Sequence, residues 1–83
     1  MYKILLEARA ERDLNSLDNS VKKRIIVKVL DLQQNPRKNS RKIVDSNNAW
    51  KIRIGDWRVI YEIYDKIKTV RIYRIKHRSK AYL

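Results

Sequence analysis

Hydrophobic and polar positions alternate most regularly over residues 50–64. Trp50, Ile52 and Ile54 alternate with Lys51 and Arg53, Gly55-Asp56 interrupts, and Trp57, Val59, Tyr61 and Ile63 then alternate with Arg58, Ile60, Glu62 and Tyr64. A period of two sends successive side chains to opposite faces of a strand. Gly at the first of two turn positions suits a type II′ hairpin. The stretch therefore predicts a β-hairpin in which Lys51, Arg53 and Arg58 occupy one sheet face on neighbouring strands.

The pattern elsewhere predicts the remaining elements. Residues 2–6 form a short apolar strand. Over residues 8–17, Ala10, Leu14 and Leu17 recur at helical spacing. Asp18-Asn19-Ser20 breaks that helix, and either Asp18 or Ser20 can cap a second one. The second helix carries a stripe of Val21, Ile25, Val29 and Leu32, widened by Ile26 and Leu30, and ends at Asn35-Pro36. Residues 37–49 are polar, with a short strand predicted at Ile43-Val44. After a turn at residues 65–68, residues 69–75 read as a strand with Val70 and Ile72 on one face and Arg71, Tyr73 and Ile75 on the other. The order is β-α-α-β-β-β(-β), which defines an α+β domain over residues 1–83. An antiparallel, curled sheet is expected, covered on one face by the N-terminal helical hairpin and open on the other. Lys51, Arg53 and Arg58 point to the open face.

Charge changes this picture most. The 83 residues include 21 Lys/Arg against 9 Asp/Glu, a net charge of +12. Residues 1–49 carry a net +5 and residues 50–83 a net +7, so the excess belongs to the folded domain and is not a detachable tail. Such a domain attracts polyanions, nucleic acid or the ribosome foremost. There is no Cys, which excludes disulfides and thiolate metal sites and fits the cytoplasm. The beginning of the chain is too short and too soon charged for a signal peptide, and no apolar run approaches membrane-spanning length.

Candidate chemistry is narrow. A single His and scattered carboxylates build no metal ligand set, there is no Gly-rich phosphate loop, and no hydrolase triad pattern is present, so no cofactor is expected. The three cations of the hairpin read either as a solvated strand face or as an anion site. Arg grips phosphate with paired hydrogen bonds, and clustered cations stabilise the charge of a phosphoryl transition state. On RNA the substrate's own 2′-OH can serve as nucleophile. His77 lies among Lys76, Arg78 and Lys80, and its imidazole is a candidate for proton transfer or a surface residue. Tyr82 is either a base-stacking ring or a C-terminal anchor.

Four segments resemble, in order, the RelE/ParE superfamily of type II toxins. They are the helix junction at residues 17–25, Asn35-Pro36, the hairpin Trp50-Lys51-Ile52-Arg53-Ile54-Gly55-Asp56-Trp57-Arg58-Val59-Ile60-Tyr61, and the ending Ile75-Lys76-His77-Arg78-Ser79-Lys80-Ala81-Tyr82. The resemblance covers essentially the whole chain. It implies a toxin that cleaves mRNA in the ribosomal A site without a metal, and a cognate antitoxin that binds it as a hetero-oligomer. The superfamily's other branch, ParE-like, inhibits DNA gyrase without being an enzyme. The catalytic set implied is Lys51, Arg53, Arg58, Lys76, His77 and Tyr82. Arg74, Arg78 and Lys80 are implied as RNA contacts. Arg58 matches the Arg that contacts the scissile phosphate. Arg53 stands where the ribonuclease prototype has a Lys general base, and Lys76 stands where some members have Arg. A guanidinium cannot act as a base, so proton transfer is expected from Lys51 or His77.

Overall fold

The computed structural model describes residues 1–44, 46 and 48–79. Strand β1 (Lys3–Leu6) is followed by helices α1 (Ala8–Asn15) and α2 (Asn19–Asp31), then by β2 (Ser40–Lys42), β3 (Ala49–Ile54), β4 (Trp57–Tyr64) and β5 (Thr69–His77). The five strands lie in the order β1-β5-β4-β3-β2. β1 and β2, neighbours in sequence, thus occupy opposite edges. The helical hairpin between them must cross the sheet, which is why both helices cover the same face.

The α+β arrangement agrees with the sequence, but the sheet is mixed. β1 runs parallel to β5, with Ile4 opposite Val70 and Leu6 opposite Ile72. Four consecutive antiparallel strands return β5 to the edge where the chain began, and the crossover brings β1 in along the same direction.

The second helix buries the expected stripe. Ile25, Val29 and Leu32 are buried and Val21 is partly so, whereas the widening residues Ile26 and Leu30 are exposed. Asp18 holds the N-cap position of α2, with no side-chain cap bond from either Asp18 or Ser20. The last turn tightens: Leu32 N–H bonds the Val29 carbonyl and Gln33 N–H the Leu30 carbonyl, before Pro36 ends the run. The Pro36 carbonyl then accepts a 2.7 Å bond from the buried Tyr61 hydroxyl, which ties this loop to the sheet.

Opposite the helices, Ile52, Ile54, Val59, Tyr61, Ile63, Val70, Ile72 and Ile75 complete the core. Trp50 and Trp57 pack at its margin, as their parity predicts. Two local expectations fail. The short strand lies at Ser40–Lys42 and not at Ile43-Val44, and Val44 is 83% exposed. Pairing with β3 decides this placement, since Arg41 must fall opposite Lys51. In β5 a bulge intervenes: Ile60 faces Arg74 but Tyr61 faces Ile72. The extra residue, Tyr73, flips the parity of everything after it. Ile75, expected beside Arg71 and Tyr73, instead enters the core opposite Val59.

Candidate phosphate-binding face

The β3–β4 hairpin sets the frame of the site. Ile54 pairs with Trp57 across Gly55-Asp56. Gly55 has a φ of 60° and Asp56 avoids positive φ, as a type II′ turn requires. Arg24 of α2 reaches over the turn, its Nη2 3.1 Å from where a Gly55 Cβ would stand.

In this register Arg53 stands directly opposite Arg58, and Arg58 directly opposite Lys76. Three cations therefore form one row across β3, β4 and β5, at strand spacings of about 4.8 Å. Like charges placed directly opposite repel. The row behind it contains Arg41 opposite Lys51 and Lys51 opposite Ile60. The bulge builds this row: without it, Lys76 would take the core parity that Ile75 now has.

Arg58 is 8% exposed and, among the described residues, the one charged side chain that is buried. Its side-chain bond is weak, from Nη1 to the Trp57 carbonyl at 3.4 Å. Among the described residues no carboxylate forms an ion pair with Arg58 or Arg53. Among the described residues no side-chain nitrogen is buried without a partner. Arg53 is exposed and its Nε lies 3.4 Å from the Gly55 carbonyl.

Other expected site residues fall elsewhere. His77 pairs with Trp57 in the register, so it takes the opposite parity from Lys76. Its ring meets the Trp57 indole edge-on at 5.1 Å, and its Nδ1 lies 3.0 Å from the Ser79 hydroxyl. Adjacency in sequence thus does not bring His77 into the cationic row. Arg74 gives two hydrogen bonds to Asp13, from Nε at 2.8 Å and from Nη2 at 3.2 Å. Asp13 also accepts the Ile75 amide at 2.9 Å, capping the edge of β5 beyond the end of β1. Burial opposes ionisation of Asp13, but the bonds from Arg74 and Ile75 and the charges of Arg74 and Lys76 outweigh it and hold its carboxyl below the ordinary range. Arg74 is therefore committed within the fold. Arg78 stays near the hairpin: its amide bonds the Asp56 carbonyl at 2.7 Å, and its guanidinium lies 3.7 Å from the Asp56 carboxylate. Lys80 and Tyr82 lie outside the described residues.

Arg41 was not legible as a site residue, because only the β2–β3 register places it beside Lys51. The polar run at residues 37–42 marks it as basic and nothing more. Among the described residues no three His, Cys, Asp or Glu side chains converge to hold a metal ion, and no helix is long and apolar enough to cross a membrane.

Two helices on an open, mixed five-stranded sheet form an α+β fold consistent with small RelE-like toxins. The model of the ParE toxin family of type II toxin–antitoxin systems (parDE) matches residues 4–82, and the chain belongs to that family, within the RelE/ParE superfamily. Among solved structures, the toxin–antitoxin complex RelBE2 from Mycobacterium tuberculosis is similar at a TM-score of 0.85 and 26% identity, covering 93% of this chain and 98% of that one. The archaeal RelE–RelB complex from Pyrococcus horikoshii matches at 0.81 and 23% identity, over 96% and 98% of the two chains. The intact RelBE complex from E. coli matches at 0.84 and 19%, over 93% and 96%. No curated protein sequence matches closely enough to count as a relative.

Proposed function

We propose that this toxin is a ribosome-dependent mRNA endonuclease. One observation carries the reading: a largely buried Arg58, with no carboxylate partner among the described residues, flanked across both neighbouring strands by Arg53 and Lys76. A fold retains such repulsion at a cost, and a bound phosphate relieves it. The 2′-oxygen of the RNA attacks the adjacent phosphorus, and the bond to the 5′-oxygen of the next nucleotide breaks. The products are a 2′,3′-cyclic phosphate and a free 5′-hydroxyl. One proton leaves the 2′-OH and one joins the 5′-oxygen. Arg53 and Arg58 stabilise the charge that builds on the phosphoryl oxygens. Lys51 and Lys76, the lysines of this face, are assigned the proton transfers, which neither Arg can perform. Tyr82 is assigned to stack on a base.

The partner proposed is a cognate antitoxin with an acidic, amphipathic segment that neutralises part of the +12 charge. The solved toxin–antitoxin complexes above support this partner. The second reading, a gyrase inhibitor, draws on the family model, which is that of the ParE toxin. Purified toxin added to ribosomes programmed with mRNA separates the two. The endonuclease reading expects cleavage only on ribosomes, cyclic phosphate ends, and no loss in EDTA. Intact mRNA together with blocked gyrase supercoiling would reject it.

A further inference from the structure

The same open face carries a second polar cluster, away from the hairpin. Glu62 lies two residues beyond Ile60 on β4, between Ala49 of β3 and Arg71 of β5. Its Oε1 accepts hydrogen bonds from both the Tyr64 and Tyr73 hydroxyls, the latter at 2.6 Å. The two hydroxyls are 3.5 Å apart. Arg71, itself paired with Glu7, stacks over the Tyr73 ring at 5.4 Å. Both donors go to one oxygen. Among the described residues nothing donates to Oε2, and no side-chain oxygen is buried without a partner, so Oε2 opens to the surface.

We propose that Glu62, framed by Tyr64 and Tyr73, is a nucleobase-reading subsite that takes guanine. This rests on the RNA reading given above. The Tyr hydroxyls fix the carboxylate and leave its second oxygen as a pure acceptor on a surface bordered by phenol rings. Single-stranded RNA is read by such pairings of base-edge hydrogen bonds with aromatic surfaces. Guanine alone among the four bases presents two adjacent donors, N1–H and N2–H, on its Watson–Crick edge, and both can converge on the one open oxygen, Oε2. Adenine and cytosine present an acceptor beside a single donor, and uracil flanks its donor with two carbonyls, so each sets an acceptor against the carboxylate. Glu62 is four residues from Arg58 along β4, about 13 Å. A base near the phosphate held at Arg58 can therefore reach it. The cationic row would hold the backbone of any RNA, and Glu62 would select among sequences.

The test uses the free, full-length protein and the four nucleoside 5′-monophosphates, followed by amide chemical shifts. The expected result is at least tenfold tighter binding of GMP than of AMP, CMP or UMP. Shifts should include Glu62, Tyr64 and Tyr73, and the selectivity should vanish in Glu62→Gln, where an amide donor replaces Oε2. Equal affinities, no binding, selectivity retained in Glu62→Gln, or shifts confined to Arg53, Arg58 and Lys76 would each overturn the proposal. So would tighter binding of N-acetylarginine amide than of GMP, which would mark a peptide arginine as the occupant. The wild-type selectivity and its shift map decide the matter even if the variant fails to fold. Failure of the endonuclease reading shows separately, as intact mRNA on ribosomes with the wild-type protein.

Discussion

At the hairpin end of the open face, Arg53, Arg58 and Lys76 stand in a row, and among the described residues Arg53 and Arg58 have no carboxylate partner. At the other end several charges are answered. Glu62 takes two Tyr hydroxyls, Arg71 pairs with Glu7, and in the β4–β5 turn Arg37 grips Asp65 with bonds of 2.7 and 3.1 Å while Tyr2 adds a third at 2.5 Å. One sheet thus holds two electrostatic regimes. Paired charges serve the fold. Aligned like charges oppose it.

The comparison breaks most directly at Arg58. Replacing it with Ala should lower mRNA cleavage at least about 100-fold, since a fixed donor to a phosphoryl transition state is worth that much. The melting temperature should stay level or rise, because a largely buried cation with no carboxylate partner among the described residues is removed. Loss of activity accompanied by collapse of the fold would place Arg58 among the structural charges instead. A thermal melt beside the cleavage assay reads both.

Asp13 tests the opposite regime. It accepts three hydrogen bonds, two from Arg74 and one from the Ile75 amide. Its side chain is 18% exposed and that of Arg74 29%. Asp13→Ala strands the guanidinium and the strand-edge amide, and should cost about 2–4 kcal/mol in urea unfolding. A loss below about 0.5 kcal/mol would show that water replaces the carboxylate at this edge.

The smallest effect sharpens the comparison through pH. The bond from Arg37, then that from Tyr2, with the charges of Arg37 and Lys68, pull the Asp65 carboxyl down to about 2. The bonds from Tyr64 and Tyr73 lower Glu62, and Asp13 is lowered as described. Each folded value lies below the unfolded one. Their stabilisation is therefore complete above the unfolded values near about 4 and is lost as pH falls toward about 2. The urea midpoint should fall across that window, and Asp65→Asn should shallow the decline. An unchanged slope in that variant would mean the exposed Arg37–Asp65 pair contributes nothing measurable.

Much of this was legible in the chain because it is local. The alternation of residues 50–64 fixed which side chains share a face, Gly55 fixed the turn, and the stripe of Ile25, Val29 and Leu32 fixed the buried side of α2. The motif order was specific enough to indicate the superfamily. Periods of 2 and 3.6 residues and short-range turn chemistry are properties of a segment, so they can be read before anything packs.

What only the tertiary structure decided were the relations between segments. The bulge at Tyr73 reversed the parity of β5, burying Ile75, bringing Lys76 opposite Arg58 and sending His77 to the other parity. The register of β2 put Arg41 beside Lys51, and the parallel pairing of β1 left an edge of β5 for Asp13 to cap. Of the hairpin's three cations, Arg53 and Arg58 gain Lys76 as the third member of their row only through β5. An alternating pattern determines faces, not partners: a one-residue slip exchanges every inward and outward side chain without changing a local preference. The sum of cross-strand pairs, edge satisfaction and core packing chooses among those slips, and that sum exists only in the folded molecule.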